Sequence, residues 1–195
     1  MGNLGKIYCI MGKSGSGKDT VFKELMKRVP EFRPVITYTT RPMRVNEIHG
    51  EDYFFINNEE LAEFETSGKL IEGRNYNTVH GIWSYATVDD GQIDLAGGKY
   101  LIITTLEAYD KISSYFKREN VVPIYLNVDD GVRLIRAIER EKTQSNPKYE
   151  EMCRRFLADC EDFNSDKLKA TGILKVYEND NLENCINEIL KNNLQ

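Results

Sequence analysis

The residues with the clearest chemical potential form one short stretch near the start of the chain, Gly12-Lys13-Ser14-Gly15-Ser16-Gly17-Lys18-Asp19-Thr20. Its glycines let the backbone turn tightly, so that consecutive N–H groups converge on one point at the positive end of a following helix. Lys18 adds a mobile cation beside a transferring phosphoryl group, as in the G-x-x-x-x-G-K-S/T pattern. The stretch therefore predicts a cradle for nucleotide phosphates. The alternative is a glycine-rich turn that precedes an ordinary helix.

Asp19 stands where that pattern has a hydroxyl that contacts Mg²⁺, and Thr20 follows it. A carboxylate is also a hard oxygen ligand, so Asp19 is the candidate ligand of Mg²⁺, either directly or through water. The two histidines, His49 and His80, have no other soft ligand beside them in the sequence. This pattern disfavours a zinc site.

A second stretch, residues 37–55, holds more cations and hydroxyls than a plain surface loop needs. Arg41 and Arg44 lie three residues apart, after several threonines and ahead of Tyr53. An arginine presents a planar fork that binds phosphate oxygens bidentately, and a tyrosine hydroxyl can add a further hydrogen bond. The stretch predicts a second phosphate site. The alternative is a solvated ion-pair cluster of Arg41, Arg44 and Glu47, which would contribute little to stability.

A third group consists of arginines on both sides of a polar hinge, residues 141–147. A mobile segment of this kind can close over polyphosphate, neutralise its charge and exclude water. The alternative is a set of arginines on solvated helix faces. The arginines concerned are Arg133, Arg136, Arg140, Arg154 and Arg155.

The elements that must position these groups alternate between strands and helices. Apolar runs predict strands at residues 7–11, 99–105, 121–128 and 172–177. Helical spacing of apolar residues, with caps and stops, predicts helices at 18–29, 58–64, 106–117, 129–142 and 182–190. Strands separated by helices predict an α/β fold with a parallel sheet covered on both faces. Residues 36–91 interrupt this alternation and are expected to form an inserted lobe.

Composition limits the function classes. The chain has 195 residues, of which 41% are hydrophobic and 29% are charged, as in one ordinary globular domain. Its formal net charge of −5 argues against a nucleic-acid-coating surface. The sequence shows no apolar run of transmembrane length and no signal-peptide pattern, so we expect a cytoplasmic protein without a membrane partner.

On these motifs the chain resembles the guanylate kinase family over nearly its full length. The family combines a glycine loop with the motif S-x-T-T-R-x-x-R-x-x-E-x-x-G-x-x-Y-x-F, which residues 37–55 match with Thr37 in place of the opening serine. The resemblance implies that ATP with Mg²⁺ binds at the glycine loop and that Asn179, in an N-D-x-L turn, contacts adenine. Asn179 could equally belong to a helix-capping turn. The ATP-binding residues expected are Gly12, Ser14, Gly15, Ser16, Gly17, Lys18, Asp19, Thr20 and Asn179.

The resemblance also implies that the acceptor is GMP, with Arg41, Arg44 and Tyr53 on its phosphate, Glu47 behind the arginines and Glu72 on its base. Guanine offers N1–H and N2–H₂ side by side, and a carboxylate accepts both. Adenine presents an acceptor at N1 instead, and sites built on hydrogen bonds reject such a mismatch strongly. The GMP-binding residues expected are Thr37, Arg41, Arg44, Glu47, Tyr53, Glu72, Ser84, Tyr85 and Thr105.

Two stretches depart from the family pattern, and both concern the base. Residues 79–87 keep Val79-His80-Gly81 from the family's V-H-G-N-Y-Y-G-T but differ after it, which leaves Ser84 and Tyr85 as alternative candidates for its second tyrosine and base-reading hydroxyl. Thr105 stands where the family has a carboxylate on the guanine side. Without the alignment, Glu72 itself would be read as a surface charge.

The resemblance implies one P-loop NTPase-type domain over residues 1–195. Its core would comprise residues 1–35 and 92–195, with an NMP-binding lobe at 36–91 and a helical lid at about 138–152. The reaction expected is ATP + GMP = ADP + GDP, in a monomer or homodimer whose partners are small nucleotides. Two alternatives are the same chemistry on another nucleoside monophosphate and a catalytically weakened binding scaffold. The catalytic residues expected are Lys18, Arg41, Arg140 and Arg155.

Overall fold

A computed structural model describes residues 5–45, 47–78, 81–144 and 146–194. Its strands are β1 (Lys6–Gly12), β2 (Phe32–Pro34), β3 (Tyr38–Thr39), β4 (Phe54–Phe55), β5 (Leu70–Thr78), β6 (Gly81–Val88), β7 (Lys99–Ile103), β8 (Val121–Asn127) and β9 (Val176–Glu178). Its α-helices are α1 (Lys18–Arg28), α2 (Asn58–Thr66), α3 (Leu106–Phe116), α4 (Asp130–Lys142), α5 (Tyr149–Asp162), α6 (Ser165–Ala170) and α7 (Leu182–Asn193).

The larger sheet has five strands in the order β2-β7-β1-β8-β9, and every neighbouring pair is parallel. Successive side chains of the central strand β1 enter two different cores, because strand residues alternate between faces. Ile7 and Cys9 pack with α3 residues on one face, and Tyr8 and Ile10 pack with α1 and α7 residues on the other. This arrangement confirms the predicted α/β fold with a parallel sheet covered on both faces.

The parallel strands bring the ends of several distant segments to one edge of the sheet. The glycine loop follows β1, Thr105 follows β7, Asp129 follows β8 and Asn179 follows β9. In open parallel sheets, ligands bind outside the carboxyl ends of the strands. The fold thus brings the glycine loop, Thr105 and Asn179, three of the predicted site groups, to the edge where a ligand is expected.

A smaller, four-stranded sheet lies within residues 38–88, in the order β4-β3-β6-β5. Tyr38, Ala86 and Val88 cover one of its faces and pack against α2, mainly through Leu61 and Phe64. Helix α2 begins at the predicted place, because Asn57 accepts the Glu60 backbone N–H at 2.8 Å and the Glu60 carboxylate accepts the Asn57 N–H at 2.8 Å. The opposite face of the sheet carries most of the polar groups described below.

The predicted strand at 172–177 is wrong over its first four residues, since β9 begins only at Val176. The preceding residues end α6 instead. Gly172, at φ 73°, donates its N–H to Lys169, and Ile173 donates to Leu168. A left-handed glycine with such hydrogen bonds is a common helix terminus, so these backbone groups are not available to the sheet. Among the described residues, no helix is both long and apolar enough to cross a membrane.

Candidate active site

The glycine loop, residues 12–17, has a backbone that only glycine can adopt at its turning points. Gly15 and Gly17 lie at φ 80° and 86°. A Cβ on Gly17 would come within 2.6 Å of the Asn179 Nδ2 atom, and one on Gly12 within 2.7 Å of the Leu126 carbonyl oxygen. The three glycines are therefore required by conformation or by close approach, as the sequence predicts.

The start of α1 is prepared for an anion. Its N-cap is Gly17, and no described side chain caps it, so the first N–H groups of the helix point outward without a side-chain acceptor. Lys18 folds back over the loop, and its Nζ donates to the Gly12 and Lys13 carbonyl oxygens at 2.7 and 3.2 Å. Burial lowers the pKa of Lys18, and the carboxylates of Asp159 and Asp19 oppose that shift.

Side chains from two other segments, α4 and the residues after β9, hold the glycine loop. Arg133 is 1% exposed; it donates to the Ser14 carbonyl oxygen at 2.8 Å and to Asp130 at 2.6 Å. Arg136 reaches the Gly15 carbonyl oxygen at 3.2 Å. The Asn179 side-chain amide donates to the Ser16 carbonyl oxygen at 2.8 Å. Asn179 is therefore packed under the loop in this structure.

A carboxylate also contacts the loop. Asp159, from α5, accepts the Ser14 backbone N–H at 2.6 Å and lies 3.9 Å from Arg133. The Ser16 hydroxyl is buried without a hydrogen-bond partner in the described part of the chain. The loop is thus fixed on its outer side by protein groups, while the helix start beside Lys18 stays open.

The lid arginines are only partly brought to this loop. Arg140 is exposed, and its charge lies close enough to Lys18 to favour a lower pKa of that lysine, after the larger effect of burial. Arg155 instead pairs with Glu151 of its own helix at 2.7 Å, as does Arg154. These hydrogen bonds, that of Arg154 first, lower the pKa of Glu151 to about 2. Of the predicted pair, Arg155 is held by its own helix, and Arg140 acts on Lys18 only through its charge.

The second phosphate site centres on Arg41, which is 3% exposed. Its Nη1 and Nη2 atoms each lie 2.7 Å from an oxygen of Glu47, and its Nε donates to the Tyr85 hydroxyl at 3.2 Å. Its guanidinium carbon lies 5.2 Å from the centre of the Tyr53 ring. The hydrogen bonds of Arg41 lower the pKa of Glu47 to about 2. Arg41 is consequently anchored in one orientation.

Arg44 differs from Arg41 because its side chain is exposed and makes no hydrogen bond or ion pair within the described residues. Its backbone N–H donates to Glu47 at 2.7 Å, which fixes the main chain. Burial is the main cause that raises the pKa of Tyr53, with smaller contributions from Tyr85 and Asp19.

The predicted base-reading residues meet at a third place. Glu72, 2% exposed, accepts from Arg74 Nε at 3.0 Å and Nη2 at 3.3 Å, and from the Thr87 hydroxyl at 2.8 Å. Arg74 Nη1 donates to the Thr105 hydroxyl at 3.0 Å. Arg74 therefore bridges Glu72 and Thr105, the two residues expected on the guanine side.

The register of β5 and β6 separates the two candidates at residues 84 and 85. Tyr85 lies opposite Arg74, on the face that carries Arg41. Ser84 lies opposite Asn75, and its hydroxyl donates to the Asn75 side-chain oxygen at 2.7 Å. Since neighbouring residues of a strand point to opposite faces, Ser84 lies on the face opposite Tyr85 and Arg41, where it borders a cavity of about 400 Å³ that Glu72 also lines. Val79 and His80, which carry part of the resemblance, lie outside the described residues.

The remaining predicted residues sit at the edges of these sites. Thr37 is half-buried, and its carbonyl oxygen accepts the Phe54 N–H at 2.9 Å. Asp19 and Thr20 are exposed in the first turn of α1. No group of three metal-ligating side chains occurs among the described residues, so the protein could offer Mg²⁺ one or two oxygens, with phosphates and water supplying the others.

A cavity of about 610 Å³ opens beside Arg74, between the smaller sheet and the core. Strand β5 forms one wall, and the start of α3 together with the region around α6 forms the other. Its lining includes Arg74, Tyr76, Thr105, Leu106, Lys111 and Lys167. Arg74, which contacts Glu72, and Thr105, which contacts Arg74, thus border a space of ligand size.

Sequence reasoning missed Arg74 and Asp159. Arg74 lies two residues after Glu72 in a strand, a spacing that puts both on one face, and that signal was available. Asp159 lies 145 residues from Ser14, and nothing in its local sequence marks it. The contact of Arg133 with the loop was also missed, because the sequence marked this residue only as one of five lid arginines.

Comparison with known proteins shows similarity to guanylate kinases. The guanylate kinase family model matches residues 4–91. A guanylate kinase of Rhodopirellula baltica is 38% identical over 101 residues, which cover 51% of this chain and 47% of that relative. One of Rubrobacter xylanophilus is 25% identical over 175 residues, which cover 85% of this chain and 89% of the relative. The higher identities thus span about half or less of the relatives' own length.

The fold likeness covers nearly the whole chain. The crystal structure of guanylate kinase from Anaplasma phagocytophilum superposes with a TM-score of 0.63 and 19% identity, covering 97% of this chain and 84% of that one. The resemblance of the chain to guanylate kinases is confirmed, and its divergence agrees with the identities of 25% and 19% in the two matches that cover most of the chain.

Proposed function

We propose that this chain is a guanylate kinase that transfers the γ-phosphoryl group of ATP to GMP. The observation that carries the proposal is a pair of sites that each suit a phosphate. One is the start of α1, which has no side-chain cap and lies beside Lys18, and the other is the cluster of Arg41, Arg44 and Tyr53, in which Glu47 holds Arg41 in one orientation. Two such sites suit a donor and an acceptor phosphate.

The reaction requires the protein mainly to align the two substrates and to neutralise the charge of their phosphates. The acceptor phosphate is already anionic, so no general base is required, and catalysis rests on in-line positioning and on neutralising charge. In this scheme Lys18 follows the transferring group, and the N–H groups of α1 hold the donor phosphates. Arg44, whose side chain is unpaired among the described residues, binds the acceptor phosphate beside the fixed Arg41.

Mg²⁺ would neutralise the donor phosphates when bound with ATP, and the exposed Asp19 and Thr20 offer oxygens near it. Arg140 and Arg155 are proposed to close over the phosphates, with Arg155 leaving Glu151 as the lid moves. Asn179 supports the loop that holds the phosphates. The cytoplasmic location, the oligomeric state and the lid at about 138–152 stay predictions.

One observation favours a second candidate, the same transfer to a different nucleoside monophosphate. Glu72, expected to read guanine, is already paired with Arg74, and Thr105 replaces a carboxylate. The phosphate sites are unaffected by this difference. The candidate therefore changes the acceptor base and keeps the reaction.

The direct test of the phosphate assignment is Lys18→Ala, compared with Lys23→Ala, an exposed lysine on the same helix. Removal of the cation that follows the phosphoryl group should lower kcat by about 10³-fold or more, while the control stays near wild type. Both variants should unfold in urea as the wild type does. Turnover of Lys18→Ala within a few-fold of wild type would contradict the assignment.

A further inference from the structure

We propose that Arg74 occupies the guanine subsite of the acceptor-free protein and determines acceptor specificity by competing with the base for Glu72. The inference rests on the proposed function, because it concerns the same acceptor site. Neither the position of Glu72 nor that of Thr105 in the sequence suggests this role for Arg74. The supporting observations are the hydrogen bonds of Arg74, the burial of Glu72 and the adjoining cavity.

The contacts of Arg74 repeat the contacts proposed for guanine. Its Nε and Nη2 atoms lie side by side and donate to the two oxygens of Glu72 at 3.0 and 3.3 Å. Its Nη1 donates to Thr105 at 3.0 Å. Arg74 thus engages both groups that border the expected position of the base.

The chemical basis of the competition is that guanine and arginine present the same donor pattern. Guanine N1, C2 and N2 form a planar N–C–N unit with two parallel N–H donors, and a guanidinium presents an equivalent fork to a carboxylate. Glu72 has one further hydrogen bond, from Thr87. The carboxylate cannot hold the arginine fork and a guanine edge in the same plane at once, so one must leave.

Burial explains why the position is filled when no base is present. The side chain of Glu72 is 0% exposed, and an ionised carboxylate at such a depth requires a charged or hydrogen-bonding partner. Arg74 supplies both and keeps 15% of its own side chain exposed. It lines the cavity of about 610 Å³, which gives the guanidinium a place to move when guanine binds.

The consequence is a selective weakening of acceptor binding. Guanine replaces both donors of Arg74 at Glu72, whereas hypoxanthine, which lacks the N2 amino group, replaces only one. Bases without adjacent donors cannot displace Arg74 at all. For a base that binds only after Arg74 has left, as guanine does, the apparent affinity is lowered by the fraction of molecules in which Glu72 is free, whereas a base that leaves Arg74 one of its hydrogen bonds loses less. Removing Arg74 should therefore tighten GMP binding more than IMP binding.

The test is calorimetric titration of GMP and IMP into wild type, Arg74→Met and Arg74→Lys. Met keeps an apolar stem without donors, and Lys keeps a charge without the fork. We expect Arg74→Met to lower the Kd for GMP about tenfold, Arg74→Lys to lower it less, and the Kd for IMP to change less than that for GMP in both. Thermal unfolding establishes that each variant is folded, and Arg74→Lys serves alone if Arg74→Met is not.

Glu72→Gln tests whether the effect acts through Glu72. The Arg74→Met gain in GMP affinity should disappear when both substitutions are combined, as a double-mutant cycle would show. Weaker or unchanged GMP binding in both Arg74 variants, with turnover retained, would overturn the role of Arg74 and leave the kinase assignment intact. Failure of the wild type and all variants to bind GMP would overturn both.

Discussion

The glycine loop and the proposed base subsite differ in the kind of group that they present to a ligand. The loop uses backbone groups of consecutive residues between Gly12 and Lys18, fixed by left-handed glycines and by the start of a helix. The base subsite uses side chains from three segments, with Arg74 joined to Glu72 and Thr105. Phosphate recognition by backbone leaves few positions free to change, whereas recognition by side chains can be altered by one substitution.

Among the substitutions that test this difference between backbone and side-chain recognition, Gly17→Ala is expected to have the largest effect. The new Cβ meets Asn179 Nδ2 at 2.6 Å, in a backbone with φ 86°. Strain and clash should lower the free energy of unfolding by about 3 kcal/mol and displace the phosphate-binding N–H groups. Urea denaturation measures the stability.

The matched control is Gly97→Ala, whose Cβ would have no heavy atom within 4 Å and whose φ lies outside the left-handed range. It should stay within about 0.5 kcal/mol of wild type. Equal effects of the two substitutions would contradict the conclusion that backbone conformation builds the loop.

The next largest effect is expected from Arg44, whose side chain is proposed to bind the acceptor phosphate. Arg44→Ala should raise KM for the acceptor about 10- to 100-fold and leave the affinity for ATP and the stability almost unchanged, because the side chain has no partner in the described structure. Arg33→Ala, at another exposed arginine, is the control. The measurement is steady-state kinetics with the acceptor and ATP varied separately. An unchanged KM for the acceptor would refute the proposed role of Arg44.

A smaller effect tests the support behind these arginines. In Glu47→Gln the buried Arg41 loses its charged partner, and we expect a loss of about 2 kcal/mol of stability near pH 7. The folded pKa of Glu47 is lowered to about 2 from 4.5. Its stabilisation is therefore fully present above about pH 4.5 and is lost as pH falls toward 2.

The difference in stability between wild type and Glu47→Gln should accordingly shrink as pH falls through that window. Urea denaturation at several pH values measures it. Glu65→Gln, at an exposed carboxylate of α2, is the control that removes a charge without breaking an arginine pair. A difference that is constant between pH 6 and 3 would disprove the role of the Arg41–Glu47 pair.

The contrast between the regions also explains what could be predicted. Local signals predicted the parallel sheet, the glycine loop and most helix starts, because hydrophobic period, capping residues and glycine spacing act over a few residues. Arg74 and Thr105 lie 31 residues apart, and their contact depends on how β5 packs near the start of α3. The contact of Asp159 with Ser14 depends on the packing of α5. The strand at 172–177 failed because a glycine helix terminus used its first residues.

The measurement that tests the central claim most directly is a coupled assay of ADP release with Mg·ATP and a panel of GMP, dGMP, IMP, AMP, CMP and UMP. We predict turnover with GMP and dGMP, weaker use of IMP and little use of the others, with GDP formed in equal amount to ADP. Preference for a different acceptor would contradict the proposed substrate. Absence of turnover with every acceptor, in a protein that still binds ATP, would contradict the proposed enzyme.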